Sequence, residues 1–174
     1  MSTSFSKVFV TGAGGWLGRR LVQRLAAGEI SSMHDKIQRD IYCHSFAKED
    51  FQKIKEEFKN LKFYSGSLED KSSSERFLSE ANSESLLIHT AGVIHPRKVK
   101  DFYDINLKAT ESLVNDAVRR NVKKIIVISS NSPIGCNVNN SVNNFFDEES
   151  PFNPYMNYGK SKMQMELMLS LIHI

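Results

Sequence analysis

Short apolar runs alternate along the chain with segments whose apolar residues recur at helical spacing. Five runs have the length of buried strands: Lys7–Thr11, Ile41–Ser45, Leu61–Ser65, Leu86–Thr90 and Lys124–Ser129. Helical spacing predicts helices over Trp16–Ala27, between Phe51 and Leu61, over Phe102–Val118 and from Tyr155 to about Leu169. This alternation is typical of βαβ units and predicts an α/β fold with a parallel sheet covered on both faces. Right-handed crossovers favour a doubly wound sheet in strand order 3-2-1-4-5.

The composition is that of one globular domain. The chain has 174 residues, of which 40% are apolar and 25% charged, enough apolar side chain for a single core. Residues 137–154 are polar and rich in Asn and Ser, which predicts an ordered loop before the last helix. We expect one incomplete domain over residues 1–168, with the substrate-binding part missing. We expect residues 169–174 to be a non-native tail, the alternative being an ordinary apolar helix end.

The charged residues and cysteines argue against several classes of protein. The formal net charge is +3 and the basic residues are scattered, which is typical of a solvated surface and not of a nucleic-acid interface. The two cysteines, Cys43 and Cys136, have no metal-ligand spacing, so neither a metal site nor a disulfide scaffold is expected. No apolar run approaches the roughly 20 residues of a membrane span. We expect a cytoplasmic protein.

A glycine-rich turn joins the first strand to the first helix. Gly12, Gly15 and Gly18 lie three residues apart in the segment TGAGGWLG. This spacing suits a tight turn, a close approach of the backbone to a pyrophosphate, and close packing of helix on strand. The helix N-terminus adds free N–H groups for the phosphates. The turn therefore predicts a dinucleotide site in a Rossmann-type sheet.

The end of the second strand bears on the choice between NAD and NADP. An acidic residue expected there would hold the ribose hydroxyls of NAD, but the sequence reads Cys43-His-Ser-Phe46. Without a carboxylate to repel a 2′-phosphate, NADP is slightly favoured over NAD. Asp40 would reverse this expectation if the strand ended elsewhere.

A tyrosine and a lysine lie four residues apart in the last predicted helix. Tyr158 and Lys162 therefore share one helix face, where the ammonium favours the phenolate and makes the tyrosine a usable acid/base. Tyr155 has Gly159 at the same offset, so it does not qualify. Ser130 ends the fifth strand, where parallel sheets place ligands, and could orient a substrate hydroxyl or carbonyl. The alternative for this serine is a strand cap.

Together these segments resemble the extended short-chain dehydrogenase/reductase family, which includes NAD-dependent epimerases and dehydratases and 3β-hydroxysteroid dehydrogenases. The similarity runs in order through six segments: TGAGGWLG, Gly66-Ser-Leu68, His89-Thr-Ala-Gly92, Asn106-Leu-Lys-Ala-Thr110, Ser129-Ser130 with Gly135, and Pro154-Tyr-Met-Asn-Tyr158-Gly-Lys-Ser-Lys162. The resemblance implies a Rossmann-type fold and an NAD(P)-dependent oxidoreductase or epimerase acting on a small molecule. A homodimer of the full-length protein is possible in that family.

The resemblance also implies roles for individual residues. Ser130, Tyr158 and Lys162 would be catalytic, with Tyr158 and Lys162 also contacting the cofactor. The remaining cofactor contacts would be Gly12, Gly15, Trp16, Leu17, Gly18, Ser67, Leu68, Ala91 and Gly92. Asn106 would brace the scaffold instead of reacting.

Three departures from the family pattern limit what the resemblance implies. Ser67 stands where the family usually has Asp, so the adenine contact should be weaker, and Ile134 replaces a tyrosine. Asn131-Ser132 stands where sugar dehydratases carry an Asp-Glu pair, which argues against dehydratase chemistry.

The leading hypothesis is hydride transfer between nicotinamide and a secondary alcohol or carbonyl. A sugar-nucleotide epimerase with a retained cofactor and a non-catalytic NAD(P) sensor are the alternatives, and the chain by itself is expected to be inactive.

Overall fold

A computed structural model describes residues 5–29, 39–58, 61–136 and 146–172. The strands are β1 (Lys7–Thr11), β2 (Asp40–Ser45), β3 (Lys62–Ser65), β4 (Ser85–His89) and β5 (Lys124–Val127). The helices are α1 (Trp16–Ala26), α2 (Gln52–Glu57), α3 (Lys71–Phe77), α4 (Val99–Tyr103), α5 (Thr110–Arg119) and α6 (Asn157–Ser170). A 3-10 turn, Lys48–Phe51, precedes α2, and a π-helical segment, Asp104–Ala109, joins α4 to α5.

The strands form one parallel sheet in the order β3-β2-β1-β4-β5. The predicted α/β class, strand order and doubly wound topology are confirmed. The central strand is β1, where Val10 aligns with Cys43 of β2 and with Ile88 of β4. The carboxyl ends of β1, β2 and β4 therefore meet at one edge, and the glycine turn begins there.

Both faces of the three central strands, β2, β1 and β4, are buried, and alternate residues of each strand serve opposite faces. One face contributes Val8, Val10, Ile41, Cys43, Leu86 and Ile88 to a core completed by Val22 of α1 and Ile54 of α2. On β1 and β2 the intervening positions hold Phe9 and Tyr42, which stack at 4.2 Å between ring centroids, with Phe77 of α3 against Phe9 at 5.5 Å. Burying each such aromatic stabilises the fold by roughly 1.5–3 kcal/mol.

Two helical regions differ from the sequence prediction. Helix α3 was not predicted, because its sequence KSSSERF lacks an apolar repeat; the Asp70 side chain caps it by accepting from the Ser72 N–H at 3.0 Å. The helix predicted over Phe102–Val118 begins earlier, at Val99, and contains the π-helical segment Asp104–Ala109. Of the predicted loop, residues 137–145 lie outside the described residues.

The chain divides into two compact units. The first, Met1–Gly92 with Ser112–Ile128, contains the sheet, and the second, Val93–Glu111 with Ser129–Ile174, contains α4 and α6. Among the described residues, no helix is both long and apolar enough to cross a bilayer. The described residues also contain no cluster of three or more potential metal ligands.

Candidate dinucleotide and catalytic sites

The glycine turn after β1 requires glycine at position 12 for two reasons. Gly12 has a φ of +64°, a backbone conformation that side chains disfavour. A Cβ added there would also lie 2.8 Å from the Ala91 backbone nitrogen and 2.9 Å from Thr90 Oγ1. The structure thus brings the predicted cofactor residues Gly12 and Ala91 into direct contact.

The N-terminus of α1 is open to an anion. Gly15 is the N-cap residue, its N–H donates to the Gly12 carbonyl at 2.9 Å, and no side chain caps the helix. The first turn also carries no acidic residue. Its N–H groups and the positive end of the helix dipole therefore suit the phosphates of a dinucleotide.

The third glycine allows α1 to pack closely on the turn. A Cβ at Gly18 would lie 2.7 Å from the carbonyl carbon of Gly12 and 2.9 Å from Ala13 Cα. Trp16 and Leu17, the other two predicted contacts on this helix, are 88% and 42% exposed. Both side chains are therefore accessible to a ligand at the turn.

A set of hydrogen bonds fastens the end of β1 to the end of β4. Thr11 Oγ1 and His89 Nδ1 are 2.7 Å apart, and the Thr90 hydroxyl donates to the Thr11 carbonyl at 2.7 Å. The Ala91 N–H donates to Thr11 Oγ1 at 3.4 Å. These bonds hold Ala91, and Gly92 after it, at the edge of the sheet where the glycine turn lies.

A carboxylate lies at the end of β2, contrary to the expectation from the sequence. Asp50, in the 3-10 turn, accepts from the Ser45 hydroxyl at 2.5 Å and from the Ala47 N–H at 3.2 Å. A Cβ at Gly14 would lie 2.9 Å from Ser45 Oγ and against the Asp50 side chain, so the acid also borders the glycine turn. The expectation missed it because the chain folds back over five residues. Asp40 is at the opposite end of β2, with its carboxylate 3.5 Å from Lys62 Nζ.

The predicted adenine residues follow β3. The Gly66 N–H donates to the Ser45 carbonyl at 3.1 Å, which keeps this turn beside the end of β2. The Ser67 hydroxyl donates to Glu69 Oε2 and accepts from the Glu69 N–H, both at 3.2 Å. Leu68 is 8% exposed. Ser67 is thus engaged within its own turn, and little of Leu68 is accessible.

In the second unit, α6 begins at Asn157 and carries the tyrosine and lysine on its first two turns. Tyr158 packs near Phe102 of α4, with ring centroids 6.3 Å apart. Lys162 is 4% exposed, and its Nζ lies 3.7 Å from Met165 Sδ. Burial lowers the pKa of Lys162 from its ordinary value, and the carboxylate of Glu166 opposes that effect.

The loop that contains Ser130 lies against the first turn of α6. The Ser130 hydroxyl donates to Ser132 Oγ at 3.1 Å and accepts from the Ser132 N–H at 3.2 Å. Ser132 in turn borders Gly159, where an added Cβ would lie 3.1 Å from the Ser132 carbonyl carbon. The small residue after Tyr158 therefore allows the Ser130 loop to approach the helix turn that carries Tyr158.

Asn106 braces the same unit from the π-helical segment. Its Oδ1 accepts from the Val93 N–H at 2.8 Å, while its Nδ2 donates to the Val93 carbonyl at 3.0 Å and to Ser161 Oγ at 3.2 Å. Asn106 is 1% exposed. These contacts are structural ones and match the bracing role that the resemblance implies.

Sequence reasoning missed one acidic residue in this unit. Glu166 lies one helical turn after Lys162 on α6, and its Oε1 accepts a hydrogen bond from the Ser129 hydroxyl. The signal was available, since Tyr158, Lys162 and Glu166 follow one another at four-residue spacing.

A parallel sheet of this order, with a glycine turn after its central strand, defines a dinucleotide-binding α/β protein. The family model described as the NAD dependent epimerase/dehydratase family matches residues 8–173, and the chain belongs to that family. The extended short-chain dehydrogenase/reductase resemblance is thereby confirmed.

Individual relatives agree with this assignment. The chain is 35% identical over 167 residues to uncharacterized protein y4nL of Sinorhizobium fredii, covering 93% of this chain and 44% of the relative. It is 29% identical over 168 residues to the mouse dTDP-D-glucose 4,6-dehydratase, covering 94% and 45%. The fold is similar to that of WbmG from Bordetella bronchiseptica, solved in complex with NAD, with a TM-score of 0.77, 19% identity and coverage of 97% and 50%. The chain thus spans about half the length of these relatives.

Proposed function

We propose that the protein is an NAD(P)-dependent enzyme that transfers a hydride between a nicotinamide cofactor and a secondary alcohol or carbonyl carbon. Bound at the glycine turn, the cofactor would supply the site that accepts and returns the hydride. The single observation that carries the proposal is the contact of Ser132 with Gly159, because it places the Ser130 loop beside the helix turn of Tyr158.

The side chains of the site have separate roles in the proposed reaction. Tyr158 gives a proton to, or takes it from, the substrate oxygen, and Ser130 orients that oxygen by a hydrogen bond. Lys162 is buried, so its charge acts on neighbouring groups through a poorly screened environment. Lys162 also serves the ribose hydroxyls. Gly12, Gly15 and Gly18 hold the pyrophosphate, far along the chain from the proton-transfer residues.

The names of the relatives support a sugar nucleotide as the substrate class. They include the mouse dTDP-D-glucose 4,6-dehydratase and the UDP-glucose 4-epimerase of Lactobacillus helveticus, which is 26% identical over 167 residues. Asn131-Ser132 argues against the dehydratase outcome. An epimerase, which oxidises a sugar hydroxyl and reduces the resulting ketone on the other face, is therefore the second candidate, and it uses the same residues.

The position of Asp50 favours NAD over NADP. In dinucleotide sites of this topology an acid near the end of the second strand binds the ribose hydroxyls, and the Asp50 carboxylate beside Ser45 would take that role and repel a 2′-phosphate. This observation opposes the slight preference for NADP expected from the sequence, whose premise was the absence of an acid there.

The experiment is turnover of candidate sugar nucleotides by the complete gene product, with NAD and NADP, before and after Tyr158→Phe. We expect a loss of about 10²–10⁴-fold, since positioned acid/base catalysis is typically worth that much. Tyr155→Phe is the matched control, because Tyr155 is 67% exposed and has no lysine four residues later. Full activity of Tyr158→Phe would reject the site and support a non-catalytic cofactor sensor.

A further inference from the structure

The second unit contains a carboxylate to which the proposed reaction assigns no role. Glu166 lies on α6 at four-residue spacing from Lys162, and its Oε1 accepts from the Ser129 hydroxyl. Ser129 directly precedes Ser130 in the chain. One carboxylate is thus bonded to the segment that carries the candidate substrate-orienting hydroxyl and is a helical turn from the candidate catalytic ammonium.

Lys162 needs a compensating charge. It is 4% exposed, and burying an ammonium costs several kcal/mol unless an opposite charge or hydrogen bonds offset that cost. Burial lowers the pKa of Lys162, and the negative charge of Glu166 acts in the opposite direction. Glu166 is partly buried, so its field is screened less than that of a surface carboxylate.

We propose that Glu166 is the positioning residue of the candidate catalytic set: its carboxylate fixes the Ser129 end of the strand loop and keeps the buried Lys162 side chain charged. Glu166 acts through these two neighbours and does not itself touch the substrate. The inference rests on the proposed role of Lys162 in catalysis.

Of the other acids on the elements packed against α6, Asp104 is paired with two lysines. On α4 and the π-helical segment, Asp104 binds Lys100 at 2.8 Å and Lys108 at 2.9 Å, while the Tyr103 hydroxyl donates to Asn157 Oδ1 at 3.4 Å. The remaining acid there, Asp101, is in the first turn of α4. The loop over residues 129–136 carries no acidic or basic side chain, and its one thiol, Cys136, is exposed.

Two substitutions separate the charge from the hydrogen bond. Glu166→Gln keeps an acceptor for the Ser129 hydroxyl but removes the negative charge. Ser129→Ala keeps the charge but removes the donor. Glu166→Asp keeps the charge on a shorter side chain, so it is the conservative rescue.

The experiment is an NMR titration of the chain labelled with ¹³C at the lysine Cε atoms, with the Lys162 signal assigned by its loss in Lys162→Met. We expect Glu166→Gln to lower the titration midpoint of Lys162, as loss of a nearby opposite charge does. Glu166→Asp should return the midpoint towards that of the unaltered protein. An unchanged midpoint in Glu166→Gln would overturn the proposal.

Ser129→Ala tests the proposal even if Glu166→Gln does not fold. It releases the carboxylate from its anchor, so the Lys162 midpoint should fall by a smaller amount than in Glu166→Gln, and an unaltered midpoint would reject the anchoring role. The titration needs no substrate, so its result is independent of turnover. In the complete gene product, Glu166→Gln should also move the alkaline limb of kcat/KM to lower pH, a change that a purely structural defect would not produce.

Discussion

Asp50 Oδ2 accepts the Ser45 hydroxyl at 2.5 Å and thereby places a carboxylate at the end of β2, although the two residues are five positions apart. The Ala47 N–H, 3.2 Å from the same oxygen, fixes the turn between them. If this carboxylate meets the cofactor ribose as proposed, cofactor choice depends on the fold of the 3-10 turn and not on the last residue of the strand.

The first prediction follows from that carboxylate. Asp50→Asn should raise the affinity for NADPH relative to NADH by about tenfold, because it removes the charge that repels a 2′-phosphate at close range. Calorimetric titration with both cofactors is the measurement. Glu49→Gln is the matched control, since it removes an equal charge from the residue directly before Asp50. An unchanged ratio in Asp50→Asn would mean that Asp50 does not contact the ribose.

A second prediction compares two glycines of positive φ. Gly12→Ala should destabilise the protein by more than the roughly 1–2 kcal/mol cost of the left-handed conformation, because its Cβ would also meet the Ala91 backbone. Gly28→Ala should show the conformational cost alone, since Gly28 has a φ of +70° and nothing within 4 Å of the added Cβ. Urea unfolding of both variants measures the difference.

The same pair of variants separates stability from binding. NADH binding can be followed by quenching of Trp16, the single tryptophan of the chain, which is 88% exposed beside the turn. Gly12→Ala should abolish the quenching, and Gly28→Ala should leave it intact. Equal quenching by both variants would place the cofactor elsewhere.

A third prediction concerns stability in acid. Burial lowers the pKa of His44 to about 4, with a smaller effect of Arg76, and His44 is 2% exposed with no hydrogen-bond partner for either ring nitrogen among the described residues. The unfolded chain takes up this proton near the ordinary value of about 6.5, before the folded one does. Stability is therefore greatest above about pH 6.5 and falls as the pH drops towards 4, by about 3 kcal/mol in total.

The variant His44→Phe isolates this contribution. The free energy of unfolding in urea, measured between pH 7 and pH 4, should fall less steeply in His44→Phe than in the unaltered protein. His95→Ala, at an exposed histidine, is the control for the loss of a histidine as such. If His44→Phe retained the original slope, the buried imidazole would not be the cause of the loss of stability in acid.

A fourth prediction distinguishes the lysine from the tyrosine. Lys162→Ala should weaken both turnover and NADH affinity, because the ammonium serves the phenolate and the ribose together. Tyr158→Phe should leave NADH affinity nearly unchanged. Lys160→Ala, an exposed lysine on the same helix, is the control for helix stability. Normal NADH affinity in Lys162→Ala would remove the ribose contact from the proposal.

The fold was predictable from the sequence wherever burial alone decides the structure. The central strands of a parallel sheet are buried on both faces, so KVFVT and SLLIH stand out as nearly continuous apolar runs, whereas the edge strand KIIV is apolar but only partly buried. Helix α3 did not stand out, because Ser73 and Ser74 are buried polar residues in a sequence without an apolar stripe. The π-helical segment was also missed, since the side-chain pattern of one wide turn is almost that of an α-helix.

The candidate site was predictable where the motif is local. Gly12, Gly15 and Gly18 lie around a single turn, and Tyr158 and Lys162 lie on a single helix, so their spacing alone suggests the roles proposed for them. Asp50 and Ser129 act through partners that only the fold brings near them. Asp50 reaches Ser45 through a turn five residues long, and Ser129 reaches Glu166 across 37 positions. No short sequence pattern specifies either contact.

The bonds between Thr11 and the segment after β4 have a consequence for the order of folding. They join residues 78 to 80 positions apart, so the hydrogen-bonded form of the glycine turn cannot exist until β4 and the residues after it have been synthesised. Closing so long a loop is entropically costly and slow compared with forming a local turn. During synthesis, the hydrogen-bonded form of the turn is therefore acquired only after the residues 78 to 80 positions beyond Thr11 have emerged, much later than the glycine sequence itself.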